Sequence, residues 1–343
     1  EIVTRILTEK FRLSLFERPY VDEGAIALQT PDTVELAREV ARQAVVILEN
    51  RGVLPLDVHG SQRIAVIGPT ADDPLALLCG YSLPVHLILT EAGESASQVV
   101  TPRAALEKAF GAERISYARG CYIIEERKYG SPVFPGDVEK STMLTQTSPV
   151  SRRVDLIPPA VECAKAADIA VVCVGDLSGL FRTGTVGEGS DADSLDLPGV
   201  QQQLLEAVVA TGRPIVVVLT SGRPYSLGGL EDKVAAFVMA FAGGQEGGNA
   251  LVDVLTGNFE PSGRLTVSVP KNVGAVPYYY NHKMKSAGTP IALHFGSRYP
   301  FGHGLSYTQF DFAELELEEK EVDARNGEIR LRFTVRNTGP ALE

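Results

Sequence analysis

Residues 176–200 contain the residue types best suited to binding or catalysis, and a glutamate between two glycines lies among them. Glu188 lies between Gly187 and Gly189, and the segment holds three further glycines, two threonines and three serines. A glutamate without a side chain on either neighbour can approach a ligand closely, and small backbone rotations move it. The segment follows an apolar run that predicts a buried strand, residues 169–174, and α/β sheets bind ligands at loops of this kind. A solvated acidic loop is the alternative interpretation.

Three other side chains of this segment bear on the glutamate. Leu180 and Phe181 could form an apolar wall, which would favour the protonated form of a nearby carboxyl, or they could simply pack the loop. Asp191 could add negative charge beside Glu188 or cap the loop. The residues alone leave these roles open.

No cofactor or metal site is predicted. The sequence has neither a GxGxxG motif after a strand nor a GxxxxGK[ST] motif, and a nucleophile elbow of the GxSxG type is missing as well. The five histidines and four cysteines show no metal-ligand spacing. Cys163 and Cys173 lie in apolar segments typical of buried thiols, and a disulfide stays open. The glycine-rich residues 243–248 could bind an anion before a helix or form a tightly packed turn.

Composition indicates a globular chain that binds neither nucleic acid nor membrane. Its 343 residues are 44% hydrophobic and 22% charged, enough for one large core or for two to three domains. The net charge is −11, with no basic run and no apolar stretch of the roughly 20 residues that a membrane span needs. The chain starts at Glu1 without a signal peptide, which favours a processed product or part of a longer chain. A periplasmic, secreted or cytoplasmic location stays open.

Alternating apolar runs and amphipathic segments predict a parallel α/β sheet. Strands are predicted at 63–68, 115–118, 169–174, 215–219 and 234–241, and helices at 32–50, 102–110, 158–167, 200–211 and 249–255. For the first helix, Asp32 and Glu35 would form a capping box. A further short helix is predicted near Ile2 and Phe11. Residues 121–157 read as a polar surface insertion.

The last part of the chain changes character. It is rich in proline and tyrosine after Leu265, and residues 313–317 and 329–335 then alternate apolar and polar side chains, as antiparallel strands do. Two strands cannot form an independent domain, so these predict the opening of a larger β sandwich.

Eight collinear segments resemble glycoside hydrolase family 3, the family of β-glucosidases and β-xylosidases. The segments are Lys10–Asp22, Leu36–Leu56, Ile64–Asp72, Tyr117–Cys121, Val186–Gln201, Val254–Pro270, Val276–His282 and Tyr299–Phe310. They include VGEGSDADSLDLPGVQ around Glu188 and YPFGHGLSYTQF near the end. One such match would be weak, but eight in family order extend over nearly the whole chain.

The resemblance implies the fold class and the domains. It implies a mostly parallel, six-stranded α/β sandwich followed by the start of a fibronectin-III-like sandwich, with the family's TIM-like barrel outside this chain. Expected boundaries are a linker at 1–31 that packs on the barrel, the α/β domain at 32–290, a connector at 291–312 and a truncated β domain at 313–343.

The resemblance also implies the chemistry. Glu188 matches the family's acid/base glutamate, although Ser190-Asp191-Ala192 replaces the usual aromatic residue and Asp-Arg pair, which leaves the positioning of the loop open. The family's nucleophilic aspartate lies in the barrel. Tyr81, Ser82, Phe181 and Asp191 are the expected substrate contacts.

The expected activity is retaining, exo-acting removal of terminal β-glucose, or next β-xylose, from oligosaccharides or glycosides. The barrel could belong to the same chain or to a neighbouring one, and a homodimer stays open. The chain alone is expected to be inactive. A non-catalytic carbohydrate-binding or scaffolding fragment is the alternative.

Overall fold

A computed structural model describes residues 1–27, 29–82, 85, 98–126, 148–179, 183–281, 296–319 and 321–339. The chain forms two units, Glu1–Leu36 and Ala37–Glu343. The first unit contains helix α1 (Ile2–Arg12), a short 3₁₀ turn at Glu23–Ala25 and the beginning of helix α2 (Pro31–Ala44). None of the residues of α1 is buried.

The described part of the second unit contains the remaining regular elements. Its helices are α3 (Pro102–Phe110), α4 (Ile157–Lys165), α5 (Gln201–Val209) and α6 (Gly247–Leu255). Its strands are β1 (Val46–Asn50), β2 (Ile64–Ile67), β3 (Ile115–Ala118), β4 (Ile169–Gly175), β5 (Ile215–Thr220), β6 (Ala236–Met239), β7 (Val269–Pro270), β8 (Ser297–Tyr299), β9 (Phe310–Leu317) and β10 (Leu331–Asn337). Short 3₁₀ helices lie at Pro74–Leu77, Ala112–Arg114, Glu231–Lys233 and Val273–Ala275.

Six strands form one mostly parallel sheet, as predicted. Their order is β1-β6-β5-β4-β2-β3, and only the pairing of β1 with β6 is antiparallel. The five parallel strands, counted along the chain, therefore follow the order 2-1-3-4-5 of flavodoxin-like sheets. In that order the strand sequence reverses between β2 and β4, and ligands bind at the carboxyl ends of strands at such a reversal.

The core lies on both faces of this sheet, which makes an α/β sandwich. Every residue of β4 is buried, with Ala170, Val172 and Val174 on one face and Ile169, Val171 and Cys173 on the other. Helices α4 and α5 cover the first face, and α3 and α6 cover the second. A strand buried on both faces reads as a continuous apolar run, and such runs made the central strands predictable.

The predicted helix at 32–50 is wrong in its second half. The helix ends at Ala44, and Val46–Asn50 is strand β1 at the edge of the sheet. Ile47 and Leu48 are buried in the sheet, whereas Leu36 and Val40 of the helix are 62% and 61% exposed. The run from Val45 is apolar and largely β-branched, which suits a strand. The expected capping box is also replaced, because Thr30, before the helix, accepts a bond from the Thr33 N–H.

The first end of the predicted 121–157 insertion belongs to the interior, whereas residues 152–155 near its second end are exposed. Cys121 and Ile123 are buried, and Ile124 forms an isolated antiparallel bridge with Val150. The middle of the segment, 127–147, lies outside the described residues.

The predicted antiparallel pair near the end of the chain is confirmed as the hairpin of β9 and β10. All residues of β9 are exposed, so this two-stranded sheet has no core of its own. None of the helices in the described ranges combines the length and apolar character that crossing a bilayer requires.

Candidate active site

Two predicted site residues meet at the reversal of strand order. Tyr81 lies in the loop after β2, and Glu188 lies in the loop after β4. The Tyr81 hydroxyl donates a hydrogen bond of 2.6 Å to Glu188 Oε2. This bond and the negative charge of the glutamate raise the pKa of Tyr81, because both disfavour the phenolate. The fold therefore brings together a carboxyl and a phenol that are far apart in the sequence.

Local hydrogen bonds in the first loop present Tyr81. Asp73 caps the 3₁₀ turn at Pro74–Leu77 by accepting a bond from the Leu75 N–H at 3.0 Å. The Ser82 hydroxyl donates to the Cys79 carbonyl at 2.7 Å, and the Ser82 N–H donates to the same oxygen. Ser82 was an expected substrate contact, and in this structure its hydroxyl closes the turn that carries Tyr81.

The second loop needs glycine immediately before the glutamate. Gly187 has φ of +118°, and a Cβ placed there would lie 2.1 Å from the Gly179 carbonyl oxygen. The strand-like contact that brings these two segments together is the bridge between Ser178 and Val186. Because no other residue type fits this approach, the glycine before Glu188 is a structural requirement of the loop.

One buried side chain holds the base of this loop. The Gln201 amide is fully buried; it accepts from the Gly175 N–H at 2.8 Å and donates to the Gly175 carbonyl at 2.7 Å. It also donates to the Pro198 carbonyl at 2.9 Å. Gly175 ends β4 and Gln201 begins α5, so the amide joins the two points where the loop leaves and re-enters the core.

A buried carboxyl lies beneath the loop. Asp176 is 4% exposed and accepts a 2.6 Å hydrogen bond from the Ser221 hydroxyl, which follows β5. Burial raises the pKa of Asp176 to about 6, although the Ser221 hydrogen bond and the positive charge of Arg223 act in the opposite direction. Burial, with the nearby Asp176 charge, also raises the pKa of Tyr225 to about 12.

A small cavity borders Asp176 and the residue before Glu188, Gly187. It has a volume of about 150 Å³ and is lined by residues that follow β2, β4, β5 and β6: Ala76, Cys79, Gly80, Asp176, Ser178, Val186, Gly187, Ser221, Gly222 and Ala242. Pockets that enclose a small ligand usually measure roughly 300–1,000 Å³. The described residues thus form a partial site rather than an enclosed one.

Three of the predicted site residues face solvent, and the expected apolar wall lies outside the described part of the chain. Glu188 and Asp191 are exposed, and Tyr81 is 68% exposed. Leu180 and Phe181, the expected apolar wall, lie outside the described residues. The described ranges also contain no group of three His, Cys, Asp or Glu side chains able to hold a metal ion.

The glycine-rich segment before α6 fits the interpretation of close packing. A Cβ on Gly248 would lie 2.4 Å from the Val100 carbonyl oxygen, and one on Gly243 would lie 2.7 Å from the Gly247 Cα. These glycines let chain segments approach each other.

Sequence reasoning missed the polar residues under the loop. Asp176 directly follows β4 and Ser221 directly follows β5. Gln201 begins α5, immediately after the loop that carries Glu188. Asp176 could have been found, because it is the first polar residue after a continuous apolar strand, whereas Ser221 comes second, after Thr220 at the end of β5. Nothing in the sequence around Gln201 distinguishes it from the two glutamines that follow it.

Comparison with known proteins places this chain in a family. The family model described as the glycosyl hydrolase family 3 C-terminal domain matches residues 45–307. The chain is 34% identical to a periplasmic β-glucosidase of Salmonella typhimurium, over 97% of the chain and 43% of that protein. It is 32% identical to a β-xylosidase of Formosa agariphila, over 99% of the chain and 43% of that protein.

The fold matches as well. A solved β-glucosidase involved in saponin metabolism from intestinal bacteria superposes with a TM-score of 0.82 at 27% identity, over 98% of this chain and 47% of the other. The chain spans about 43% of the length of the two curated relatives above. The six-stranded α/β sandwich is the family's C-terminal domain, and the β9–β10 hairpin fits the start of its fibronectin-III-like domain. The chain belongs to glycosyl hydrolase family 3.

Proposed function

We propose that this chain is part of a retaining, exo-acting β-glycosidase and that Glu188 is its general acid/base. The observation that carries the proposal is the Glu188 carboxyl at the strand-order reversal, held by Tyr81 through Oε2 at 2.6 Å. In this proposal Oε1 carries the transferred proton. The relatives' names support terminal β-glucose as the first substrate and β-xylose as the second.

The proposed reaction has two steps. An aspartate in a barrel domain outside this chain attacks the anomeric carbon, and Glu188 gives its proton to the departing oxygen as that bond breaks. The Glu188 carboxylate then takes a proton from water, which attacks the same carbon and releases the sugar and the aspartate. Retaining enzymes need two carboxyls about 5–5.5 Å apart. Because the nucleophilic aspartate lies outside this chain, the chain alone is expected to be inactive. The barrel belongs either to a longer protein of which this chain is a part or to a neighbouring protein chain.

The test is Glu188→Ala in the full-length protein that carries the barrel. Turnover of aryl glycosides with poor leaving groups should fall by roughly 10²–10⁴-fold, because proton transfer to the leaving oxygen is lost. Activated substrates should still form the covalent intermediate, and azide should restore their turnover and give a glycosyl azide. Azide needs no general base to attack.

A matched control is Glu162→Ala, which removes an exposed glutamate of α4 that pairs only with a surface lysine in the described structure, Lys165. This variant should keep wild-type kinetics. Wild-type turnover by Glu188→Ala would refute the assignment. Sugar binding without any hydrolysis by the wild-type full-length protein would favour the non-catalytic alternative.

A further inference from the structure

The loop segment that carries Glu188 is held by hydrogen bonds rather than by a core. No apolar side chain is buried in residues 183–190. The Thr185 and Val186 N–H groups donate to the Leu177 carbonyl, and the Gly179 N–H donates to the Val186 carbonyl. Segments with few buried apolar contacts open at low free-energy cost, so the position of Glu188 depends on the groups that bind its backbone.

One arginine binds this backbone on both sides of the glutamate. Arg223 Nη1 donates to the Thr185 carbonyl at 2.8 Å, and its Nη2 donates to the Ser190 carbonyl at 2.5 Å. The guanidinium is a rigid, planar fork of donors, so two simultaneous bonds fix both the distance and the relative orientation of the two carbonyls. Glu188 lies between these two fixed points.

The arginine is itself anchored in the buried end of the sheet. The backbone N–H of Arg223 donates to Ser221 Oγ at 2.8 Å, and that hydroxyl donates to the buried Asp176 carboxyl at 2.6 Å. Asp176 directly follows β4 and Ser221 directly follows β5. The chain of contacts from β4 and β5 through Arg223 to the loop therefore starts from two adjacent core strands.

We propose that Arg223 is a positioning residue for Glu188, which holds the proton donor in place by binding the Thr185 and Ser190 carbonyls. This inference rests on the proposed function of Glu188. Arg223 acts from the loop after β5, and thus accounts for the positioning that the Ser190-Asp191-Ala192 sequence left open. Its removal should impair proton transfer more than substrate binding or folding.

The test compares Arg223→Met and Arg223→Lys in the full-length, barrel-containing protein. The readout is kcat/KM, which reports the first bond cleavage, on aryl glycosides of one sugar with good and poor phenol leaving groups. Because a displacement of about 1 Å in a catalytic group can cost about 100-fold, Arg223→Met should lower kcat/KM by roughly 10–100-fold for poor leaving groups. Good leaving groups need little protonation and should be nearly unaffected. Arg223→Lys, with one ammonium in place of the fork, should be intermediate.

Arg213→Met is the matched control. Arg213 precedes β5 at its other end, and its Nη2 also donates to a backbone carbonyl, that of Lys165, at 2.8 Å. This variant should leave kcat/KM unchanged for both kinds of substrate. Tm measured for every variant separates loss of folding from loss of positioning, and the lysine variant supplies the test if Arg223→Met does not fold.

Two results would overturn the inference. One is an equal loss of kcat/KM for good and poor leaving groups, which would make Arg223 a general structural residue; the other is no loss at all. If Glu188→Ala shows the expected loss with poor leaving groups, either result leaves the proposed function standing and removes only the role of Arg223. Wild-type turnover by Glu188→Ala would instead remove the proposed function itself.

Discussion

Two carboxyls follow the same strand and have opposite surroundings. Asp176 comes directly after β4, is 4% exposed and has its pKa raised to about 6 by burial. Glu188 lies further along the same loop, is exposed, and accepts a hydrogen bond from the Tyr81 hydroxyl. A perturbed pKa in a cleft often marks a catalytic group, yet buried structural networks perturb pKa values too. Here the perturbed carboxyl supports the loop, and the solvent-facing one is the candidate proton donor.

The two carboxyls of this loop differ in role: one stabilises the structure and the other is the candidate catalytic group. The buried carboxyl joins the ends of β4 and β5 through Ser221, where a fixed geometry matters. The exposed carboxyl faces solvent, and in the proposed function a barrel domain and a sugar approach it from that side. If this division holds, substitutions at the two positions should separate activity from stability.

The largest expected effect is on activity at the exposed position. Glu188→Gln keeps the size and the polarity of the side chain but cannot transfer the proton, so kcat/KM for poor leaving groups should fall by roughly 10²–10⁴-fold. Its Tm should stay close to that of the wild type, because the side chain is exposed. A large fall in Tm would break the proposed division of roles.

The next effect concerns the backbone that carries the glutamate. Gly187→Ala would place a Cβ 2.1 Å from the Gly179 carbonyl oxygen, so the loop must shift and kcat/KM should fall by roughly 10–100-fold. Gly212→Ala is the control, since Gly212 also has a positive φ, of +72°, but no neighbouring atom within 4 Å. The control should lower stability by about 1 kcal/mol and leave kinetics unchanged. Equal kinetics for the two variants would show that the close approach of Gly187 does not matter.

An effect on stability alone is expected at the buried position. Between pH of about 4 and 6 the folded protein holds a proton on Asp176 more tightly than the unfolded chain, because its pKa is about 6 instead of 3.8. The free energy of unfolding should therefore fall as pH rises through this window, by on the order of 3 kcal/mol in total. Asp176→Asn removes this contribution, so its stability relative to the wild type should rise with pH up to about 6 and then level off.

Unfolding curves measured from pH 4 to 7 check this prediction. Asp193→Asn, which changes an exposed aspartate of the same loop, should run parallel to the wild type. Parallel curves for Asp176→Asn as well would show that the buried carboxyl is not titrating in this range.

The smallest effect is expected at the phenol that binds the donor. Tyr81→Phe removes the hydrogen bond to Glu188 and should lower kcat/KM for poor leaving groups several-fold, with little change in Tm because Tyr81 is exposed. Tyr280→Phe, at an exposed tyrosine stacked on Phe301, is the control and should behave as the wild type. Ultraviolet titration adds a direct check, since the raised pKa of Tyr81 should fall towards its ordinary value in Glu188→Gln.

The sequence predicted most of the sheet and singled out the loop of the candidate site. The strand Ile169–Gly175 is a continuous apolar run, and a strand buried on both faces leaves that signature in the sequence. The Glu188 loop was predictable because glycines frame the residue and a buried strand precedes it. Both signals are local in the sequence.

What could not be predicted depends on contacts between distant segments. The Tyr81–Glu188 hydrogen bond and the Arg223 bonds to Thr185 and Ser190 require the strand order, which a single sequence does not contain. The β1 strand was missed for a related reason. Its pairing with β6 decides between helix and strand, and that pairing is a tertiary interaction.

The amide of Gln201 makes the long loop modular. It pairs with both backbone groups of Gly175, so the point where the loop leaves β4 is bonded to the point where α5 begins. A loop whose two ends are bonded together can be lengthened, shortened or exchanged for that of another enzyme without altering the register of the strands beneath it. Under the proposed function, exchanging the residues around Glu188 is therefore expected to alter leaving-group preference while the sheet stays unchanged.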